Sequence, residues 1–308
     1  MEIALQFVLL ALGFVMLAKG ADWFVEGAAG IAMRFGIPQL VIGLTIVAMG
    51  TSAPEAAVSI AAAVKGNADI TIGNIVGSNI LNILIILGLA ASIVPIAVAR
   101  STVRIEMPFM IGVTALLFYQ GRDGSISLAD GGVLMVAFAA YMMYLYTMAM
   151  KSNVDSDLEE PGLPLGRCLL GAVGGLALII AGSNVTVGAA TSIATYAGLS
   201  ERFIGLTIVA LGTSLPELFT SVAAARRGNA DIAIGNIVGS NIFNILFVVG
   251  LSSLIIDIPF AAAFNFDTYV ALGAAVLLWL CVLRTQRLQR WAGALMLVCY
   301  AAYLGYIL

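Results

Sequence analysis

The sequence predicts an all-α polytopic membrane protein, ten transmembrane helices forming two inverted five-helix repeats. Three observations lead there: composition, the spacing of apolar runs, and one long stretch that occurs twice. Of 308 residues, 61% are hydrophobic and 10% charged, with a mean hydropathy of +1.07, far from ordinary soluble domains. Apolar runs of roughly 17–25 residues can each cross about 30 Å of hydrocarbon as a helix, the form that satisfies every backbone polar group within one segment. Gly43 through Leu84 matches Gly205 through Leu246 at a constant offset of 162, identical at 32 of 42 positions without a gap. Such self-similarity is a duplication.

In chain order the expected spans are 3–30, 38–64, 70–95, 104–120 and 128–149, then 165–195, 203–225, 232–256, 268–284 and 288–307. The first run starts at Ile3 with no basic leader or small-residue cleavage site, which reads as a retained span rather than a signal peptide. The one clearly hydrophilic connection, Lys151 to Gly162, holds Asp155, Asp157, Glu159 and Glu160 and reads as a solvated linker. The expected division is therefore a first repeat at 1–150, an acidic cytoplasmic linker at 151–164, and a second repeat at 165–308. Five spans per repeat is an odd number, so the second copy enters the membrane from the opposite side, as in alternating-access transporters with a midplane site.

Orientation follows from the basic residues. With the N-terminus outside, the inner connections hold Arg34, Arg100, Arg104, Lys151, Arg167, Arg226, Arg227, Arg284, Arg287 and Arg290, against Lys65, Arg122 and Arg202 outside. The positive-inside rule favours N-out. A net charge of −3 without a basic arm or patch offers nothing to nucleic acid. Histidine is absent, which removes the commonest zinc ligand and neutral-pH proton shuttle. Cys168, Cys281 and Cys299 have no ligand spacing and read as apolar fillers.

The second span of each repeat carries Gly-Thr-Ser-x-Pro-Glu, at Gly50–Glu55 and Gly212–Glu217. Proline in mid-helix removes a donor and clashes with the carbonyl four residues back, so the helix should break and free carbonyls near Ala48 to Thr51 and Ala210 to Thr213. Glu55 and Glu217 follow each break, with Thr51, Ser52, Thr213 and Ser214 beside them. An intramembrane carboxylate is unfavourable by roughly 2.5–3.5 kcal/mol even on lenient scales, and so signals function. In the third span Asn74, Ser78 and Asn82 share a helical face, as do Asn236, Ser240 and Asn244 in the copy. Gly73 with Gly77, and Gly235 with Gly239, allow close helix approach there. Asp22 and Glu26 weigh less, because the copy has Asn184 and Gly188, and Asp69 and Asp231 read as helix starts.

No Lys or Arg lies near either glutamate within these spans, so cations or protons must neutralise them. One divalent or two monovalent ions balance two carboxylates. Calcium, with six to eight oxygen ligands in adaptable geometry, fits better than magnesium. At these motifs the chain resembles the prokaryotic sodium/calcium exchanger family of the calcium:cation antiporter superfamily: GTSAPE with GNIVGSNILN, and GTSLPE with GNIVGSNIFN, look like its two alpha-repeats. The resemblance implies an ion core of the second, third, seventh and eighth helices, with the first and sixth sliding across it. It also implies calcium ligands at Glu55, Glu217, Thr51 and Thr213. For sodium, or for lining the chamber, it implies Ala48, Ser52, Ser78, Asn82, Ala210, Thr213, Ser214, Ser240 and Asn244, together with the glutamates.

Asn244 departs from the aspartate that family members often carry there, leaving two carboxylates and opening the choice between sodium and proton as counter-ion. Proton/calcium exchangers usually carry asparagine after that glycine, so the resemblance, with threonine and serine here, favours sodium. The expected function is thus secondary calcium/sodium antiport in a prokaryotic inner membrane, with the ions and the bilayer as partners, no cofactor and no obligatory protein partner. A carboxylate-lined channel is disfavoured by inverted rather than ring symmetry. A hydrolase is disfavoured by the lack of a histidine base or a partnered nucleophile.

Overall fold

The computed structural model describes residues 2–66, 68–152, 163–198 and 210–307. It consists of helices α1 (Glu2–Arg34), α2 (Gln39–Thr51), α3 (Ala53–Val64), α4 (Ile70–Ile93), α5 (Thr102–Asp123), α6 (Leu128–Ser152), α7 (Leu165–Tyr196), α8 (Ala210–Thr213), α9 (Leu215–Arg226), α10 (Ala230–Ile255), α11 (Ala263–Leu283) and α12 (Arg290–Ile307). Among the described residues eight helices are long and apolar enough to span a membrane, and nine if α2 and α3 count as one broken span. Most of the linker, the start of the seventh expected span and Gly205 to Val209 of the second motif lie outside the described residues.

The expected break in the second span occurs at Ser52, where the chain bends by 50° and the backbone leaves helical geometry at φ −81° and ψ 5°. Pro54 then sits in the first turn of α3, where a missing N–H costs least. The backbone leaves helical geometry likewise at Ser214, at φ −88° and ψ 2°, ahead of Pro216 in α9.

α4 and α10 are the most enclosed spans. On α10 every residue from Ile232 to Phe243 is buried, as expected of helices apolar all round. The outer helices instead turn large side chains outward, among them Phe7, Val8 and Val15 of α1, Val136 and Met143 of α6 and Val298 of α12, the surface a bilayer would cover.

α1 and α7 pack along each other as an antiparallel pair on a glycine seam. A Cβ on Gly20 would lie 2.9 Å from the Gly175 carbonyl oxygen, one on Gly182 3.0 Å from that of Gly13, and one on Gly175 2.5 Å from the Phe24 nitrogen. Cys168 lines the same seam, where a Cβ on Gly30 would meet its Sγ, in keeping with a packing role. At the helix ends, strand β1 (Ile96–Ala97) pairs antiparallel with β4 (Arg287–Leu288), and β2 (Ser125–Ile126) with β3 (Ile258–Pro259). Displacing β1 and β2 by 162 residues gives β3 and β4, so each pairing is the image of the other.

Candidate cation chamber

The two helix breaks face each other with α4 and α10 alongside. Glu55 and Glu217, in the first turns of α3 and α9, are 1% and 0% exposed. Each is held by the serine of the opposite motif: Ser52 Oγ donates to Glu217 Oε1 at 2.8 Å, and Ser214 Oγ to Glu55 Oε1 at 3.3 Å. Ser214 Oγ also lies 3.4 Å from Ser78 Oγ, within hydrogen-bond reach. Ser240 donates to the Ala48 carbonyl at 3.4 Å, which also accepts the Ser52 N–H at 3.0 Å. Thr51, fully buried, has its Oγ1 within 3.3 Å of the Val47 and Ala48 carbonyls and 2.9 Å from Asn236 Oδ1, three acceptors for its one proton. Thr213 is half-buried at the end of α8, and Ala210 opens that helix.

Asn74 and Asn236 brace the breaks. Asn74 Nδ2 donates to the Glu55 carbonyl at 3.2 Å and Ser59 Oγ at 2.9 Å, while Asn236 Nδ2 donates to the Glu217 carbonyl at 3.4 Å and Ser221 Oγ at 2.9 Å. Two asparagines absent from the sequence argument join the helices. Asn79 Nδ2 donates to the Asn241 carbonyl at 3.1 Å, and Asn241 Nδ2 to that of Asn79 at 3.2 Å. Asn241 Oδ1 accepts from Asn82 Nδ2 at 2.9 Å, and Asn79 Oδ1 from Asn244 Nδ2 at 3.1 Å. This chain fixes the orientation of all four amides: Asn79 and Asn241 must present oxygen, so Asn82 and Asn244 must present NH2 to them and keep Oδ1 for something else. The signal that could have found Asn79 and Asn241 was their own duplication at the offset of 162. Ser59 and Ser221 repeat at that offset too.

Four buried oxygens in this region have no donor among the described residues: Glu55 Oε2, Glu217 Oε2, Asn82 Oδ1 and Asn244 Oδ1. They are two pairs related by the duplication. A buried acceptor left without a partner costs about 1–3 kcal/mol, and more when charged. Both ion pairs among the described residues belong to Arg227, which meets Asp22 at 3.2 Å and Glu26 at 3.1 Å on α1, so neither chamber carboxylate has a cationic side chain. Among the described residues no three His, Cys, Asp or Glu side chains cluster, and a bound ion would complete its coordination with hydroxyl, amide and backbone oxygens. Hard oxygen donors of this kind suit alkali and alkaline-earth cations. Asp22 and Glu26 are thus a partly exposed ion-pair site at the end of α9. Asp231 is the second residue of α10, and Asp69 the first of the helix that becomes α4.

Buried, uncompensated acidic oxygens inside a bundle of membrane-spanning helices define a cation-handling integral membrane protein. The chain matches the family model described as sodium/calcium exchanger protein over residues 5–147 and 168–308, and it belongs to that family. It is 33% identical over 345 residues to the sodium/calcium exchanger MaX1 of Methanosarcina acetivorans, covering 98% of each chain. It is 40% identical over 260 residues to the inner membrane protein YrbG of Escherichia coli, covering 80% of this chain and 79% of that one. Solved structures of the sodium–calcium exchanger NCX_Mj are similar as well. One soaked with 2.5 mM Na+ and 10 mM Sr2+ has a TM-score of 0.86 at 34% identity, covering 98% of this chain and 99% of that chain. One soaked without Na+ and Ca2+ has a TM-score of 0.87 at 33% identity.

Proposed function

We propose that the protein exchanges calcium for sodium by alternating access at the chamber between the two helix breaks. The observation that carries this reading is the set of four orphaned acceptors, Glu55 Oε2, Glu217 Oε2, Asn82 Oδ1 and Asn244 Oδ1. Two carboxylates balance one calcium or two sodium ions, and both ions draw on the same oxygens. Competition is then the coupling: the chamber releases calcium when sodium takes its ligands. Thr51 and Thr213 complete the calcium site, and Ala48, Ser52, Ser78, Ala210, Ser214 and Ser240 the sodium positions. The protein is a transporter rather than an enzyme, with the transported ions in place of a cofactor.

Alternating access follows from ten spans in two inverted repeats, 1–150 and 165–308, joined by the cytoplasmic connection 151–164. Equivalent helices α1 and α7 running antiparallel support the inversion. The strand pairs support the span count, since a ten-span chain with its N-terminus outside puts β1 and β4 on the inner side and β2 and β3 on the outer. The name of YrbG and the basic residues favour a prokaryotic inner membrane with that orientation.

The experiment is tracer calcium uptake into liposomes at controlled voltage and pH. An outward sodium gradient drives calcium uptake against its own gradient in this reading. Uptake driven by a pH gradient and indifferent to sodium would replace sodium with protons. Uptake that needs no opposing ion would overturn exchange in favour of a channel.

A further inference from the structure

Four π-helical segments occur among the described residues: Gly43–Val47, Asn82–Leu87, Thr102–Glu106 and Asn244–Val249. π segments concentrate at functional sites because they shift the register of side chains and backbone donors. Two of these begin at the chamber residues Asn82 and Asn244, and a third leads directly into Ala48. The fourth has no part in the chamber. It ends on Glu106, in α5.

Glu106 is fully buried on α5. Its Oε1 accepts a hydrogen bond from the Tyr144 hydroxyl of α6, and its Oε2 has no partner among the described residues. The Tyr141 hydroxyl, on the same helix as Tyr144 and 5% exposed as a residue, has none either, nor has the buried Thr102 hydroxyl one turn before Glu106. Glu106, Tyr141 and Tyr144 line a cavity of about 160 Å³ between α5 and α6, with Ile105, Phe109 and Ala140 completing its wall. Arg104, two residues away, is exposed, and neither ion pair among the described residues involves this acid.

The fold does not demand an acid here. The equivalent residue of the second half is Thr268, whose hydroxyl returns to the Phe264 carbonyl at 2.7 Å in an uninterrupted helix. Next to it Asp267 accepts from Tyr303 at 2.8 Å, but Asp267 is only half-buried and water can hydrate it. Glu106 has no such relief.

We propose that Glu106, with the hydroxyls of Tyr144, Tyr141 and Thr102, forms a second intramembrane cation site that takes a single positive charge, a sodium ion or a proton, from the cavity between α5 and α6. One carboxylate among neutral hydroxyls balances one monovalent charge and leaves a divalent ion in excess. The site is independent of the antiport chamber, so its test is made with the chamber disabled.

The experiment compares the full chain carrying Glu55→Gln and Glu217→Gln, in lipid nanodiscs, with the same chain also carrying Glu106→Gln. Two readouts are taken: binding of radioactive sodium, and the infrared C=O band of a protonated carboxyl across a pH titration. Sodium retained by the first chain and lost from the second identifies the ion as sodium, and Tyr144→Phe then weakens it by at least about tenfold, the scale of one hydrogen bond to a charged group. Without retained sodium, a carboxyl band that fades as pH rises and is missing from the Glu106→Gln chain identifies the proton. A chain that binds no sodium and whose Glu106 band does not change with pH overturns the proposal, since the acid would then be a permanently neutral packing group. Should Glu106→Gln fail to fold, Tyr144→Phe, which keeps ring volume, weakens the retained sodium or shifts the pH at which the carboxyl band fades, and an unchanged result in both readouts overturns the site.

Discussion

Around the chamber the two halves repeat their central contacts: Ser52 reaches Glu217 as Ser214 reaches Glu55, and Asn79 and Asn241 exchange the same bonds. At the edges they diverge. Asp22 and Glu26 grip Arg227, whereas the equivalent positions are Asn184, Gly188 and Lys65. Glu106 faces Thr268 across the same relation. In the proposed exchange one ligand set serves both sides of the membrane, and symmetry suits that role, because inward-open and outward-open arrangements of inverted repeats interchange the roles of the halves. The periphery is free of that requirement. There a one-sided ion pair or acid distinguishes the two sides.

The largest expected effect breaks the symmetric centre. Glu55→Gln or Glu217→Gln removes half of the chamber's negative charge. Removing one partner from a buried charged pair costs about 3–5 kcal/mol, which corresponds to more than about 100-fold in calcium affinity. Sodium-driven calcium uptake into vesicles therefore falls to background for either variant, and near-normal exchange by one of them would remove it from the site. Asn244→Asp sharpens the same comparison by adding charge to one half only. It should change the charge moved per cycle and steepen the sodium dependence, read as a shifted reversal potential and Hill slope; unchanged values would count against charge balance as the determinant of coupling.

A smaller effect is expected along the seam of α1 and α7. Gly175→Ala places a Cβ 2.5 Å from the Phe24 nitrogen, while nothing lies within 4 Å of the Cβ position at Gly174. Overpacking costs about 1–3 kcal/mol, so Gly175→Ala should lower the unfolding temperature in detergent and Gly174→Ala should not. Equal stability of the two would mean that the helices separate at little cost. The smallest effect belongs to the edge. Arg227→Gln removes two ion pairs whose side chains are 35% to 48% exposed, and exposed pairs contribute about 0–1 kcal/mol, screened by salt. The variant's stability should approach that of the parent at high salt, and a large salt-independent loss would assign Arg227 a packing role instead.

Much of the centre was legible in the sequence because it is written twice. Glu55 and Glu217, the helix breaks and the polar faces of α4 and α10 all follow from repetition plus the cost of polar groups in hydrocarbon. Glu106 escaped because it occurs once, inside an apolar run, with no motif around it. The seam of Gly13 and Gly20 against Gly182 and Gly175 escaped for another reason. A glycine within a helix marks a close approach without naming the neighbour, and the neighbour comes from a helix more than a hundred residues away.

What the sequence by itself determined is what depends on local chemistry and on self-comparison: membrane-spanning helices, a duplication, and a carboxylate just past a proline break in each copy. These are properties of a segment and its solvent, readable without knowing what the segment touches. Only the tertiary structure decided which serine holds which glutamate, that Asn79 and Asn241 turn the amide oxygens of Asn82 and Asn244 away from each other's helices, and that Glu106 meets two tyrosines at a cavity. Those pairings arise where distant helices cross, and helical periodicity sets the face a side chain occupies while leaving open the partner that face will meet.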